Sequence, residues 1–232
     1  MTADFLLAGG MALLAGATDV YGLDRLRDIF VSFMSGNTTL LGRALGVALG
    51  RSSGRSLGGD LGAIDFGHAG ELAGIIGLFV LGAAVGTAVA ERAGRYRTVI
   101  VMGLVTVMLW AATAWPQTQV PFWVGAMGVM NAAFSQVGPA SVSLTYVTGT
   151  LVKFGQGLGK CLSGKGFEWS WMLQGLMWLC LLAGAIAATL IQARLGDAAT
   201  WPLPALAALL TLGAWARTIA RLNADSRTER AG

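Results

Sequence analysis

Charge is what this sequence has least of. Asp, Glu, Lys and Arg together make up 12% of its 232 residues, about half the share usual in a soluble domain. Histidine occurs once, at His68, and cysteine twice, at Cys161 and Cys180. Neither cysteine has metal-ligand spacing, and one lies inside an apolar run, so no metal site and no disulfide is expected. With no His paired to a carboxylate in the apolar stretches, a hydrolytic triad is missing as well. The net charge of +4 comes from arginines at segment ends, without a basic patch, which excludes nucleic acid as a partner. No cofactor is expected, and the chain is not read as an enzyme.

What is present is apolar sequence and glycine. Hydrophobic residues make up 55% of the chain, and glycine numbers 34; mean hydropathy is +0.65. Residues 98–152 carry no charged side chain, nor do Leu72 to Ala90, Trp169 to Ala193 or Ala198 to Ala216. Each run approaches or passes the ~20 residues that cross a ~30 Å hydrocarbon core. The chain is therefore expected to be an all-α, polytopic membrane protein with lipid as its surroundings. A single transmembrane domain is expected, because nothing outside the apolar segments exceeds about 25 residues, the size of a linker and not of a domain. The stretch 5–17 ends in Ala15-Gly16-Ala17 like a signal peptide. Its leading residues hold no Lys or Arg, so cleavage is not expected.

Inside this apolar sequence sits a polar, glycine-containing knot, Phe33-Met34-Ser35-Gly36-Asn37-Thr38-Thr39. A degraded copy lies 113 positions later, at Tyr146-Val147-Thr148-Gly149-Thr150-Leu151. Gly36, Gly42 and Gly46 meet Gly149, Gly155 and Gly159 under that offset, and Ser32 meets Thr145. Gly16 to Asp19 likewise matches Gly128 to Asn131, and Gly82, Thr87, Arg92 and Gly94 match Gly184, Thr189, Arg194 and Gly196. The order of these matches implies a duplicated chain, with repeat one at about 5–115 and repeat two at about 122–220.

Arginine placement sets the expected topology. The turn at Glu91 to Arg97, the Lys153, Lys160 and Lys165 region and the tail at 217–232 are expected to be cytoplasmic, and the 115–121 connector external. Both termini are then cytoplasmic. These placements agree if each repeat holds three transmembrane helices plus one re-entrant or broken helix. An odd number of spans makes the repeats inverted. Eight full transmembrane helices are the alternative.

The spans are read as Phe5 to Tyr21, followed by a charged turn to Asp28, then a β-like run to Met34 and a helix from Leu40 to Gly50. Arg51 to Gly70 is read as a Gly/Ser-rich loop containing His68. The later spans are Leu72 to Ala90, Thr98 to Trp115, Phe122 to Val137, Trp169 to Gln192 and Trp201 to Ala216. Gly82-x-x-x-Gly86 is read as tight helix packing and as a face for a homodimer. The eight Trp residues are read mostly as interfacial anchors.

The Gly-x-x-Asp of the first span, the Met-Ser-Gly-Asn-Thr-Thr knot, the later Gly-x-x-Asn and Thr145-Tyr146-Val147-Thr148-Gly149-Thr150-Leu151 resemble the YoaK-like family of bacterial inner-membrane proteins. The resemblance covers nearly the whole chain. It implies a multi-pass inner-membrane protein grouped with small-metabolite transporters, and it brings no substrate or catalytic residue.

From the residues themselves, polar groups and helix breaks in hydrocarbon point to a cavity. The two helix starts, at Ser35-Gly36-Asn37-Thr38 and Thr148-Gly149-Thr150, carry free N–H groups and about half a positive charge each. Ser35 or Asn37 is expected to cap the first. The two starts are expected to meet near the midplane and hold a small polar or anionic solute. Asp19 is the sharpest single residue, since an acid at mid-span costs about 2.5–3.5 kcal/mol to insert. It is expected to bind a coupling proton or cation. The candidate solute-binding residues are Asp19, Ser35, Gly36, Asn37, Thr38, Asn131, Gln136, Thr145, Thr148, Gly149 and Thr150. A secondary transporter or channel is the leading expectation. An intramembrane protease or lipid transferase, and a non-catalytic scaffold, are the alternatives.

Overall fold

The computed structural model describes residues 2–26, 29–52, 66–133, 147–164, 169–196 and 199–231. Among them run eight α-helices: α1 (Thr2–Leu26), α2 (Met34–Ser52), α3 (Phe66–Ala93), α4 (Arg97–Ala114), α5 (Gln119–Ala132), α6 (Val147–Leu162), α7 (Trp169–Leu195) and α8 (Pro202–Ala231). No strand occurs among the described residues. The all-α polytopic class is what composition implied.

Local chemistry sets the breaks. The apolar stretch Gly67–Ala114 would continue as one 48-residue helix but for Gly94. That residue adopts φ 53°, in the left-handed region, where a Cβ is penalised. A single 3-10 turn, Gly94–Tyr96, follows, and α4 starts at Arg97. Trp115 is extended (φ −121°, ψ 83°) before Pro116, as a residue preceding proline prefers. Gly196, at φ 83°, ends α7 by donating its N–H to the Gln192 carbonyl at 2.8 Å. Pro202 then opens α8, where its missing N–H is harmless.

Several expected boundaries shift. α1 runs through Gly22 to Leu26, so Leu23 to Leu26 is helix and not turn. α2 starts at Met34, which places the knot in its first turns instead of ahead of it. His68 lies in the first turn of α3, not in a loop, with its Nδ1 3.8 Å from Glu71.

Helix directions follow from named contacts. Along α1, Gly9, Leu13 and Asp24 meet Cys180, Gly184 and Gln192 of α7 in rising order, so the two helices are parallel. Asp4, Gly10 and Tyr21 of α1 meet Arg221 and Leu210 of α8 and Ala199 just ahead of it, so α1 and α8 are antiparallel. The α4–α8 pair is antiparallel too, through Thr106 to Thr211 at 2.9 Å and Thr200 to Thr113 at 3.2 Å. The tight turns before and after α4 set α3 and α5 antiparallel to it. Hence α1, α3, α4, α5, α7 and α8 alternate in direction.

One end of the bundle, the tail end, holds the start of α1, the α3–α4 turn and the polar half of α8. The other, the connector end, holds the α4–α5 and α7–α8 turns. The chain leaves α1 and enters α3 at the connector end, and it leaves α5 and enters α7 at the tail end. Among the described residues α2 packs on α3 and α6 on α7. Eight successive crossings would set α4 and α8 parallel.

Glycine decides how closely the helices cross. A Cβ on Gly16 would fall on the Leu181 carbonyl, and one on Gly184 on the Leu13 carbonyl, where α1 crosses α7. A Cβ on Gly82 would meet the Gly125 carbonyl, and one on Gly128 the Phe79 carbonyl, where α3 crosses α5. Small residues at such points let backbones touch. Gly82 and Gly86 are thus spent inside the bundle, and their reading as a homodimer face is corrected. Around these crossings lies a core of Met11, Leu14, Tyr21, Met102, Leu109, Met127 and Trp123. Trp123 is fully buried against Tyr21 and is no interfacial anchor, whereas Trp115, Trp169 and Trp201 at helix ends are exposed.

The outside is apolar. Leu81, Val85, Val107, Leu179, Ile186, Leu190, Leu209 and Leu212 all face outward. Burial covers 67% of the apolar window of α1 but only 22% of those of α3–α4, α7 and α8. α1 and α5, whose residues 123–130 are all buried, are therefore the central posts, and α3, α4, α7 and α8 form a wall with a hydrocarbon-facing outer side.

Candidate functional site

Beyond α1 the chain turns back along it. Residues 29–33 are non-helical, and Val31 lies against Gly22, where any added Cβ would collide with its side chain. Ile29, Val31 and Ser32 are buried. A buried non-helical segment leaves peptide groups that must find partners.

Two side chains supply most of those partners. The Asp19 carboxylate accepts the Val31 N–H (2.8 Å) and the Ser32 N–H (2.6 Å) on Oδ1, and the Ser32 hydroxyl (2.5 Å) on Oδ2. Asn37, fully buried, accepts the Phe30 N–H on Oδ1 (3.0 Å) and donates from Nδ2 to the Phe30 carbonyl (2.6 Å). Its amide thus pairs with Phe30 as a neighbouring strand would. The Ser32 carbonyl accepts the Met34 N–H at 3.2 Å, and the Phe33 carbonyl accepts the Asn37 N–H at 3.4 Å. Phe30 and Phe33 pack edge to face, 5.3 Å between ring centres, against Gly36, whose hydrogen leaves them room.

This geometry corrects one expectation, the cap, and gives Asp19 a structural task. The Asn37 side chain does not cap α2; it holds Phe30. The Asp19 carboxylate is engaged by three donors, which offset the charge of a partly buried acid, so its position is that of a clamp on 29–33. Ser35 and Thr38 face outward, and Thr38 donates to the Met34 carbonyl at 2.8 Å. The site lies above the α1–α7 crossing, three to six residues from Gly16 and Leu13, or roughly 5–9 Å along the helix. It belongs to the connector half of the bundle and not to its middle.

In the second half, Asn131 donates to the Met127 carbonyl of its own helix at 2.8 Å. Gly149 and Thr150 are buried at the start of α6, while Thr148 and Lys153 are exposed. Gln136 and Thr145 fall outside the described residues. Among the described residues the two knots do not meet as expected: α2 packs on α3 and α6 on α7, with no extensive packing between α2 and α6. Helix starts packed each on its own wall helix do not enclose one solute between their first turns.

Sequence reasoning passed over Ser32 as a site residue. Its pairing with Asp19 spans 13 residues and carries no local signature. The same holds for Gln192, which donates to Asp24 at 2.9 Å, and for Tyr21, whose hydroxyl donates to the Ala199 carbonyl at 2.8 Å.

Alternating apolar helices with an outward apolar surface, and a buried non-helical segment beside a central helix, define a multi-pass membrane protein. The chain matches the family described as Protein of unknown function (DUF1275) over residues 7–213. It is also similar to a UPF0700 transmembrane protein of Rhizobium meliloti (strain 1021), 37% identical over 211 residues, covering 90% of this chain and 84% of that protein. The chain therefore belongs to the DUF1275 family, consistent with the resemblance in its motifs. No solved structure matches it.

Proposed function

We propose that this protein is a secondary transporter or channel for a small polar or anionic metabolite, built from two inverted repeats in the bacterial inner membrane. The observation that carries the reading is the segment 29–33, turned back beside α1 and held by Asp19 and Asn37. Non-helical backbone buried among membrane-spanning helices, even off the midplane, is characteristic of transport sites. Two further relations support the repeat. The crossing of Gly16 with Leu181 repeats as Gly128 with Phe79, and that of Gly184 with Leu13 repeats as Gly82 with Gly125. Inversion sets the α2 and α6 stretches at opposite ends. Each is the re-entrant element of its repeat, and both termini are cytoplasmic.

In this reading Asp19, Ser32 and Asn37 shape the path, and the outward hydroxyls of Ser35, Thr38 and Thr148 meet the solute, one knot serving each side of the membrane. No catalytic role is assigned: no base is paired with Ser35 among the described residues, and His68 faces Glu71 at the start of α3. A second reading, a non-catalytic assembly protein or homodimer, draws on the open faces of α2 and α6, where a Cβ added at Gly42, Gly46, Gly155 or Gly159 would meet nothing within 4 Å among the described residues.

The test is a metabolite-uptake screen in proteoliposomes with wild type, Ser35→Ala/Thr38→Val and Thr148→Val. Flux of at least one solute, reduced in these variants while melting midpoints hold, is the expected result. Absence of flux for every solute, with cross-linked dimers in the membrane, would favour the assembly reading.

A further inference from the structure

At the tail end, remote from Asp19, a polar cleft of about 300 Å³ opens between the α3–α4 turn, the end of α5 and the polar half of α8. Its walls carry four guanidinium groups, Arg95 and Arg97 from the turn region and Arg217 and Arg221 from α8, with Thr98 and Thr218 between them. Like charges four residues apart on a helix repel, yet Arg217 and Arg221 stay together because Asp4 bridges both, with Arg221 Nη2 2.9 Å from its Oδ2. Asp4 does so from α1, behind the wall. Glu91, mostly exposed, lies 3.7 Å from Arg97, and Asp225 is on the lining. Four cations against three carboxylates leave the cleft positive.

Two details sharpen this. The side chain of Arg217 is only 14% exposed, and its Nε is buried with no hydrogen-bond partner among the described residues. A guanidinium carries five N–H donors, and leaving one buried and unmet is unfavourable. In addition, Tyr96, at the start of α4, gives no side-chain cap to that helix, so the positive end of its dipole faces the same region. The volume lies at the lower end for ligand sites, suited to one small headgroup.

We propose that this cleft binds a phosphate monoester or diester anion, held by Arg95, Arg97, Arg217 and Arg221 through planar bidentate contacts. Phospholipid headgroups and free phosphate share this chemistry, and the site is independent of the transport reading.

The test uses the full chain in two arms. In lipid-free detergent, inorganic phosphate is titrated against chloride at equal ionic strength while the melting midpoint is followed. In nanodiscs, retention of phosphatidylglycerol over phosphatidylcholine is read by native mass spectrometry. Variants Arg95→Gln and Arg95→Gln/Arg221→Gln remove the more exposed cations, with Arg194→Gln at the end of α7 as control. The expected result is saturable binding in at least one arm, weakened about tenfold or more by the double variant, as for loss of charge-assisted hydrogen bonds, and unchanged in the control. Response in the first arm alone identifies free phosphate as the source, and response in the second a lipid headgroup. Equal midpoints in phosphate and chloride with no lipid preference overturn the proposal, and so does undiminished binding by the double variant.

Discussion

Asp19 and Ser32 are joined twice. The Ser32 N–H donates to Oδ1 at 2.6 Å and its hydroxyl to Oδ2 at 2.5 Å, so one serine occupies both oxygens of an acid on a central helix. The Val31 N–H completes the set at 2.8 Å. An acid placed this way stabilises the fold of 29–33 whatever passes beside it. Replacing Asp19 with alanine orphans two backbone donors and a hydroxyl, at about 1–3 kcal/mol for each buried group. Asp19→Ala should therefore destabilise the protein by about 3 kcal/mol or more. Asp19→Asn keeps an oxygen for the two N–H groups and offers an NH2 to the Ser32 hydroxyl, so its loss should be about 1–2 kcal/mol. Unfolding in mixed micelles measures both, and equal losses would show that the clamp is not what matters.

Asn37 tests the same segment from the other side. Its amide both accepts from and donates to Phe30, and only an amide does both at that length. Asn37→Asp keeps the acceptor but sets a carboxylate oxygen against the Phe30 carbonyl. It should destabilise at least as much as Asn37→Ala, about 2–3 kcal/mol. Amide hydrogen exchange at Phe30 should accelerate in both. Unchanged exchange in Asn37→Ala, which removes the Oδ1 acceptor of the Phe30 N–H, would mean that Phe30 is held by something else.

The glycines divide into two groups with opposite expected responses. At Gly16 and Gly184 a methyl group would strike a backbone carbonyl of the facing helix, which cannot yield as a side chain does. Gly16→Ala and Gly184→Ala should each lower stability by about 1–3 kcal/mol, the range for overpacking. At Gly42 and Gly46 an added Cβ would meet nothing within 4 Å among the described residues, and alanine there should be neutral or add up to about 1 kcal/mol through helix propensity. Melting of the four single variants in one detergent checks this. A loss at Gly42 or Gly46 would reveal a partner seated on α2.

How much was legible in the sequence follows from these same residues. Charge-free runs revealed the helices, and glycine spacing signalled where they cross closely, because insertion into lipid imposes strong rules on composition. What Asp19 does was hidden, since its partner Ser32 is reached only after a reversal of the chain, and no periodicity encodes that reversal. The separation of α2 from α6 was hidden for a related reason. Two similar motifs suggest a shared site, but which wall helix each one packs on is decided by α3 and α7, whose outward and inward faces are almost equally apolar. Gly82 and Gly86 illustrate the limit: the spacing signalled close packing, and only the fold identified α5 as the partner.

Helix direction makes the last prediction. The antiparallel α4 and α8, joined at Thr106 and Thr211, put Arg95 and Ser226 at one end of the bundle and Gln117 at the other. In a Cys161→Ser/Cys180→Ala background, single cysteines at Arg95, Gln117 and Ser226 should react with a membrane-impermeant maleimide in two classes. Gln117→Cys should label in intact cells, and Arg95→Cys and Ser226→Cys only after permeabilisation, as arginine-rich ends on the cytoplasmic side require. Thr106→Cys/Thr211→Cys should form a disulfide under mild oxidation, since the native hydroxyls lie 2.9 Å apart. A chain with eight crossings would set α4 and α8 parallel and place Gln117 and Ser226 at the same end, so labelling of those two positions from one side would overturn the six-helix arrangement and the inverted repeat with it.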